Sequence, residues 1–397
     1  MEIASELVYI SLVLFLAFLG GLVFERLKLP KLVGYIAVGA LLGPSLFGFL
    51  HETETVKFLA ELGITLLLFV LGIELDTSRF RTHLKQALTI ALMQVVGGIL
   101  VMYGVGVIFD WPLELRILLG FMVALSSTAL AVPMLESLKA THTSTAGLAV
   151  GILIAQDILV IPMLLVVNAF GAHSLSVTSL TELGLALLLI GVVLASALYI
   201  AQHPRALSRI ERLLSLGVKQ PVIAGLALGF GAAALTGSLG LSTAFGAFAM
   251  GVLIGNAPLG ATYRRAIEPI HDLLLMVFFL SVGLLIDVRF VVEHAVEIGF
   301  ILGATILLKT AFNYVLVRSV GEPPYRAYTV SAVLAQIGEF SFVLIAVGAA
   351  SGFIDAVGYQ MALSVIVFSL VLSPVWLGMV RRYLLRRGMY LAGTTPD

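Results

Sequence analysis

The sequence predicts an all-α polytopic membrane protein with about 13 transmembrane helices. Two observations point to this fold class. The composition is 60% hydrophobic and 12% charged, with a mean hydropathy of +1.10, whereas soluble proteins average about 25% charged residues. Apolar segments long enough to cross a bilayer recur between short polar breaks. The zero net charge offers no basic surface for nucleic acid, and the lack of cysteine excludes disulfides and cysteine-ligated metals.

The predicted spans follow one another with little sequence between them. The first six cover residues 5–24, 32–50, 58–75, 86–109, 115–136 and 145–169. The first of these follows Glu2 and Glu6 and not a basic region, so we expect a retained helix and not a cleaved signal peptide. A seventh span covers 178–201, and the last six cover 220–237, 240–256, 267–286, 296–317, 327–350 and 358–380.

The basic residues predict the orientation of the chain. With the N terminus outside, 19 of the 23 lysines and arginines fall on the cytoplasmic side. Only Lys57, Arg116 and Arg289 fall on the opposite side, and Lys309 lies within a span. Because cytoplasmic loops carry an excess of basic residues, we expect an odd number of helices and a cytoplasmic C terminus. The expected location is the cell's inner (plasma) membrane.

Thirteen helices divide into two six-helix repeats joined by one linker helix. The chain is then a single transmembrane domain, 1–397, with repeat 1 at 1–169, the linker helix at 178–201 and repeat 2 at 220–380. Because one helix intervenes, the second repeat starts from the opposite side of the membrane. Such inverted repeats are typical of secondary transporters, whose binding sites lie at interrupted helices near the bilayer midplane.

The fifth helix of each repeat contains residues that would interrupt it. In the first repeat, Pro133 lacks the N–H that would bond the carbonyl of Ala129, which lies just beyond the hydroxyl residues Ser126, Ser127 and Thr128. In the second repeat, Gly338 beside Glu339 is a comparable weak point. Either feature alone is typical of an ordinary kinked helix, but their matching positions favour a pair of functional breaks.

Ionisable residues near the centres of the spans predict an ion site. Asp157, which follows Gln156, lies near the middle of the sixth span, where a carboxylate costs roughly 2.5–3.5 kcal/mol to insert. Lys309 and Glu339 lie equally deep in the eleventh and twelfth spans. Because water is absent at that depth, we expect these groups to converge on one another or to line a wet cavity.

The residue types favour binding of a monovalent cation at Asp157. Carboxylate, hydroxyl and freed carbonyl oxygens suit a hard ion, and Asp157 can carry either a proton or a cation. Lys309 is the candidate counter-ion for the empty site, or a titrating group itself. Purely structural roles stay open: an Asp–Lys pair can stabilise packing, Glu339 can pair with a helix end, and Gln156 can be a ligand or only a hydrogen-bond partner.

Several motifs together resemble those of the second monovalent cation:proton antiporter family, nearest to its Kef-type potassium/proton antiporters. These motifs extend over nearly the whole chain and cover residues 27–35, 39–44, 124–129, 155–157, 277–283 and 338–342. The resemblance implies the antiporter fold of NhaA and NapA, with crossed discontinuous helices. It also implies a homodimer in membrane lipid, and a mobile core domain that moves in an elevator-like manner and carries Ser126, Thr128, Asp157, Lys309 and Glu339.

The chain departs from sodium/proton members of the family at two positions. They have two consecutive aspartates where this chain has Gln156 and Asp157, and some have an arginine where it has Gln336. One titrating carboxylate can exchange one proton for one cation, so we expect electroneutral exchange. Kef-type proteins usually continue into a cytoplasmic nucleotide-binding domain, and we expect none in this chain, which stops at Asp397. A regulatory domain or subunit outside the chain stays open.

The leading hypothesis is therefore a potassium/proton antiporter without enzymatic activity or a cofactor. Sodium/proton exchange at the same site is the alternative, because carboxylate and hydroxyl oxygens can bind either ion. A gated potassium channel is less favoured, since the sequence has no repeated carbonyl filter. An intramembrane aspartyl protease would need two carboxylates that share a proton, and Asp157 is the only aspartate predicted at midspan.

Overall fold

The computed structural model describes residues 2–27, 30–49, 54–74, 84–127, 131, 134–135, 144–171, 221–238, 243–257 and 260–386. Fourteen α-helices lie in these ranges. They are α1 (Glu2–Arg26), α2 (Lys31–Leu42), α3 (Glu54–Glu74), α4 (Leu84–Ile108), α5 (Leu113–Ala124), α6 (Ser144–Gly171), α7 (Pro221–Ser238), α8 (Thr243–Gly255), α9 (Gly260–Leu284), α10 (Val288–Glu293), α11 (Ala295–Ser319), α12 (Pro324–Val333), α13 (Phe340–Ala350) and α14 (Ala356–Arg386). The all-α prediction is confirmed.

Six helices of the described chain are long and apolar enough to cross a membrane. They lie at Gln86–Ile108, Thr145–Asn168, Pro221–Ser238, Gly260–Leu284, Ala295–Ser319 and Ala356–Leu384. The predicted linker helix, 178–201, lies outside the described residues, as do Thr128 and Pro133. The count of thirteen spans therefore stays a prediction.

Two predicted spans differ from the helices in their ends. The second was expected over 32–50, but α2 ends at Leu42, because Gly43 and Pro44 end the helix in a turn. The tenth was expected to begin at residue 267, but α9 begins at Gly260 and includes Arg264 and Arg265. Hydropathy marks where a helix enters the hydrocarbon, whereas the hydrogen-bonded helix continues into the polar region.

The chain forms two compact units, each of which combines helices from both halves of the sequence. The first unit contains α1, α3, α7, α8, α9 and most of α2. Its helices pack at glycines: a Cβ on Gly251 would lie 2.1 Å from the carbonyl oxygen of Phe69, and one on Gly39 would lie 2.2 Å from that of Leu280. Only glycine permits backbones to approach this closely.

The second unit contains α4, α5, α6 and α10 to α14. Both helices that the sequence marks as interrupted belong to this unit. In the fifth predicted span α5 ends at Ala124, Leu125 to Ser127 are non-helical, and Ala131, Met134 and Leu135 are helical again. The twelfth span is divided into α12 and α13. All described residues of the predicted ion site therefore belong to one unit.

Candidate functional site

The site is built around two stretches of non-helical backbone inside the second unit. The first break follows α5, where Leu125 is extended (φ −77°, ψ 146°), and continues through Ser126 and Ser127. The second break separates α12 from α13 and runs from Leu334 to Glu339. Each break leaves peptide groups without helical partners, so these groups can bind one another, side chains or an ion.

The two breaks cross in direct contact. The Ser126 hydroxyl donates to the Leu334 carbonyl at 2.9 Å, and the Gly338 N–H donates to the Leu125 carbonyl at 3.3 Å. A Cβ on Gly338 would lie 2.7 Å from the Ser126 carbonyl oxygen, so only glycine permits this approach. The side-chain amide of Gln336 also donates to the Ser127 carbonyl, at 3.3 Å. The breaks are thus held together by main-chain and side-chain hydrogen bonds.

Lys309, on α11, binds both breaks. Its side chain is buried, with an exposed fraction of 5%, and its Nζ donates to the Leu125 carbonyl at 2.5 Å and to the Gln336 carbonyl at 2.9 Å. Both carbonyls follow the C-terminal end of a helix, where the dipole is negative. In the described part of the chain, no carboxylate forms an ion pair with this lysine. Its described partners are therefore main-chain oxygens of the two breaks.

Three buried amide side chains, which we call the amide row, connect the first break to α4 and α11. The Ser126 N–H donates to Gln156 Oε1 at 2.8 Å. Gln156 Nε2 donates to Gln94 Oε1 at 2.7 Å, and Gln94 Nε2 donates to Asn313 Oδ1 at 2.8 Å. All three are at most 3% exposed. Gln156 is therefore held by hydrogen bonds on both its oxygen and its nitrogen.

A small cavity lies beside the amide row. It has a volume of about 20 Å³, and its lining includes Gln94, Lys309 and Asn313. This volume is enough for about one water molecule. Asn313 Nδ2, at the end of the row, is a buried donor without a partner in the part of the chain that the structure describes. Polar groups and a water-sized space therefore lie next to the buried lysine.

The two predicted carboxylates occupy different positions in the second unit. Asp157 lies on α6 directly after Gln156 and is 6% exposed. Pro162, inside the same helix, cannot donate to the carbonyl of Ile158, so an acceptor is freed next to Asp157. Glu339 precedes the first residue of α13, where the helix dipole is positive and favours a carboxylate.

The structure also places residues in this region that the sequence analysis did not single out. Gln94 and Asn313 belong to the amide row, and Thr305 Oγ1 is a buried hydroxyl that has no partner within the described ranges. Thr305 and Asn313 lie four residues on either side of Lys309, so helical spacing would have placed them on its face. Gln94 lies inside the predicted span 86–109, where a polar amide is unusual and would have been a comparable signal.

Chemically, these groups can hold a hard cation. They offer carboxylate, hydroxyl, amide and freed main-chain oxygens, which are ligands for alkali and alkaline-earth ions more than for transition metals. No group of three or more histidines, cysteines, aspartates or glutamates in the described residues could hold a metal ion. Of these groups, the carboxylates of Asp157 and Glu339 are the ones that can also take a proton.

Comparison with solved structures shows a shared fold. The sodium proton antiporter MjNhaP1 from Methanocaldococcus jannaschii at pH 8 is similar with a TM-score of 0.69 over 97% of this chain and 100% of that chain. The sequence identity is 17%. This likeness therefore concerns the fold alone.

Comparison of sequences shows the family. The iron transporter MagA of Paramagnetospirillum magneticum is 38% identical over 95% of this chain and 86% of its own length. A glutathione-regulated potassium-efflux system protein of Haemophilus influenzae and the K(+) efflux antiporter 5 of Arabidopsis thaliana are each 30% identical, over 92% and 94% of this chain. The chain spans 59% and 66% of the length of these two relatives.

The family model for the transmembrane part of sodium/hydrogen exchangers matches residues 13–382. This match covers the second unit's breaks, the amide row, Asp157 and Glu339. It agrees with the ordered motifs in the sequence and with the fold. The chain therefore belongs to the sodium/hydrogen exchanger family of cation:proton antiporters, within its Kef-like branch.

Proposed function

We propose that this membrane protein exchanges a monovalent cation, preferably K⁺, for H⁺, with Asp157 as the shared carrier of cation and proton. The observation that supports this assignment most directly is the position of Asp157 on α6, buried and one residue after Gln156 of the amide row. Gln156 there is neutral and engaged through both ends of its amide. The freed oxygens of two crossed breaks belong to the same unit. One buried carboxylate beside neutral oxygens can alternate between a proton and a dehydrated cation.

The proposed exchange is electroneutral. Gln156 adds no charge to the position next to Asp157, and Lys309 is bound to main-chain carbonyls. If Asp157 releases one proton for each monovalent cation that it binds, the loaded and protonated sites carry the same charge. A membrane potential acts with about 2.3 kcal/mol per charge per 100 mV, so it would not bias this exchange.

The choice of K⁺ rests on relatives and not on the geometry. Two relatives are named for potassium efflux, whereas the 38% identical MagA is named as an iron transporter. Oxygen ligands serve Na⁺ as well as K⁺, so sodium is the alternative cargo at the same site. Ferrous iron is a weaker candidate, because the chain has no cysteine and the site offers hard oxygen ligands.

We also propose that the second unit moves as one body in an elevator-like exchange and that the protein is a homodimer. The proposal is supported by the placement of Lys309, the amide row and both breaks within one compact unit. Hydrogen bonds join these parts to one another, so a displacement of the unit would carry the whole site.

Proteoliposomes that contain a pH-sensitive dye test the proposal. Separate additions of K⁺, Na⁺, Li⁺ and Fe²⁺ should release internal protons, with K⁺ the most effective. Asp157→Asn should abolish the response to every ion, because the amide cannot exchange a proton. Asp355→Asn is the matched control, since its Oδ1 accepts from the Gly358 N–H at 2.8 Å and an asparagine oxygen can do the same. Proton release by the Asp157→Asn protein would refute the carrier assignment.

Bilayer recordings with the same protein test the stoichiometry. A potassium gradient should drive proton exchange without a matching current. A steady current that reverses with the potassium gradient would show that exchange is not one for one. Single-channel steps would favour the channel hypothesis.

A further inference from the structure

A second cavity lies in the same unit, away from the breaks. It has a volume of about 500 Å³ and lies between α11, α12 and α14. This volume is within the range of pockets that hold small ligands, about 300–1,000 Å³. Its lining is almost entirely apolar and aromatic, and includes Leu307, Tyr314, Tyr328, Trp376 and Tyr383. Leu307, Val315 and Met379 are each more than half exposed, so the cavity opens on the surface of the unit.

The aromatic residues form one wall with polar atoms at defined positions. The ring centroids of Tyr314 and Tyr328 are 4.3 Å apart, and those of Tyr328 and Tyr383 are 5.8 Å apart. Trp376 Nε1 is buried and has no hydrogen-bond partner among the described residues. A buried N–H without an acceptor costs about 1–3 kcal/mol. This donor therefore indicates a ligand that brings an oxygen acceptor into an otherwise apolar cavity.

On both α11 and α14, the helix face that lines the cavity continues to an arginine near the C-terminal end of the helix. On α11 the lining residues Thr310, Ala311, Tyr314 and Val315 are followed one turn later by Arg318. On α14 the lining residues Trp376, Met379, Val380 and Tyr383 are followed in the same way by Arg386. An apolar cavity with an aromatic wall thus continues toward two cations.

These two arginines are available for an external anion. Both are exposed. Arg318 donates to the main-chain oxygen of Glu322, whose carboxylate pairs instead with Arg326 at 3.1 Å. Within the described ranges, no carboxylate forms an ion pair with Arg318 or Arg386. Their positive charge therefore has no protein counter-ion there.

We propose that this cavity binds an anionic phospholipid. An acyl chain fills the apolar cavity, an ester oxygen accepts from Trp376 Nε1, and the phosphate lies against Arg318 and Arg386. Each part fits its chemistry: tryptophan and tyrosine prefer the membrane interface, arginine binds phosphate through several N–H groups, and basic residues at helix ends attract anionic lipid. Charge complementarity selects this occupant over a neutral lipid.

Binding would act on the helix that carries the lysine of the candidate site. The cavity residues of α11 lie on one face, and Lys309 and Asn313 lie on the opposite face. A bound lipid would therefore hold the outer face of α11 against α12 and α14. The site does not depend on which cation the protein transports.

Tryptophan quenching can test this site directly. The chain has two tryptophans, Trp111 and Trp376, so Trp111→Phe leaves the cavity residue as the sole reporter. This variant is purified in an uncharged detergent and titrated with phosphatidylglycerol or phosphatidylcholine whose acyl chains carry bromine, which quenches tryptophan emission on contact. We expect half-maximal quenching at a phosphatidylglycerol content roughly tenfold below that for phosphatidylcholine. Equal quenching by both lipids, or none by either, would overturn the proposal.

The arginines are tested in the same background. Arg318→Gln combined with Arg386→Gln should remove the preference for phosphatidylglycerol, and each single change should reduce it. Arg381→Gln is the matched control, because residue 381 has the same charge on the same helix but lies off the cavity face. If the double variant keeps the preference, or the control loses it, the proposed headgroup site is wrong. Size-exclusion chromatography verifies that each variant is folded.

Discussion

Lys309 and Gln156 show how single side chains organise this site. Lys309 is a buried amine whose described partners are the carbonyls of Leu125 and Gln336. Gln156 is a buried neutral group that accepts from a main-chain N–H of the same break. The lysine stabilises the negative helix ends, and the glutamine stabilises a peptide N–H without adding charge. Together they fix the backbone of the two breaks, and the proposed mechanism keeps Asp157, the residue after Gln156, as the exchangeable charge.

Replacing Lys309 should weaken both the fold and the exchange. Lys309→Ala removes one donor from the Leu125 carbonyl, which keeps the Gly338 N–H, and removes the side-chain donor to the Gln336 carbonyl, so we expect the free energy of unfolding to fall by about 1–3 kcal/mol. The apparent potassium affinity or the pH dependence of exchange should also change. Thermal unfolding in detergent and proteoliposome titrations measure these effects. Lys309→Gln, which keeps a donor, should lose less stability. A wild-type melting temperature and pH profile for the alanine variant would contradict the role in the breaks.

Part of the site could be predicted from single residues because charge at midspan is costly. That argument identifies Asp157, Lys309 and Glu339. The amide row could not be predicted in the same way, because a glutamine or asparagine in a helix is ambiguous until its partner is known. The carbonyl partners of Lys309 could not be predicted either. Every residue has a carbonyl, and only the folded backbone shows which carbonyls lack a helical hydrogen bond.

At the scale of helices, the crossing of the two breaks is the central feature. Matching polar positions in two distant spans indicated interrupted helices, and the structure has non-helical backbone from Leu125 to Ser127 and from Leu334 to Glu339. Hydropathy alone shows neither break, because each break lies inside a long stretch of mainly apolar sequence. The places where the helices stop depend on contacts between segments more than 200 residues apart, such as Ser126 and Leu334.

A methyl group at the crossing should disrupt it. Gly338→Ala places a Cβ 2.7 Å from the Ser126 carbonyl oxygen and 2.8 Å from its carbonyl carbon, so one backbone must move. We expect a loss of roughly 1–3 kcal/mol in stability and a strong loss of exchange. Gly303→Ala on α11 is the control, since nothing lies within 4 Å of its added Cβ. Melting temperatures and proteoliposome rates compare the two; equal behaviour would argue against close packing at the crossing.

At the scale of the whole molecule, sequence pattern and structure give different information. Periodic apolar segments predicted the helices, but not that the second unit would combine α4 to α6 with α10 to α14. Pairing of distant helices depends on shape and on specific polar contacts, which hydropathy does not report. The distribution of basic residues, by contrast, depends on which side of the membrane each loop occupies. It therefore predicts the orientation of the chain in the membrane, which protein coordinates alone do not give.

The orientation can be tested with the native protein as background, because the chain has no cysteine. Glu293→Cys and Ser319→Cys place single thiols at exposed positions near opposite ends of α11. A membrane-impermeant maleimide added to intact cells should label the first variant, and the second only after permeabilisation. The reverse pattern would place the N terminus inside. The cysteine-free parent is the control for background labelling.

The amide row also constrains how protons can reach Asp157. Its side chains donate and accept hydrogen bonds but, unlike histidine or a carboxylic acid, they do not take up or release a proton near neutral pH. The row from Gln156 to Asn313 therefore links side chains of α6 and α11 by hydrogen bonds but does not conduct protons. A proton that leaves Asp157 must pass to water or to another group that can accept it, so access of water or such a base to this carboxylate, and not relay through its neighbouring amides, would set the rate of proton exchange.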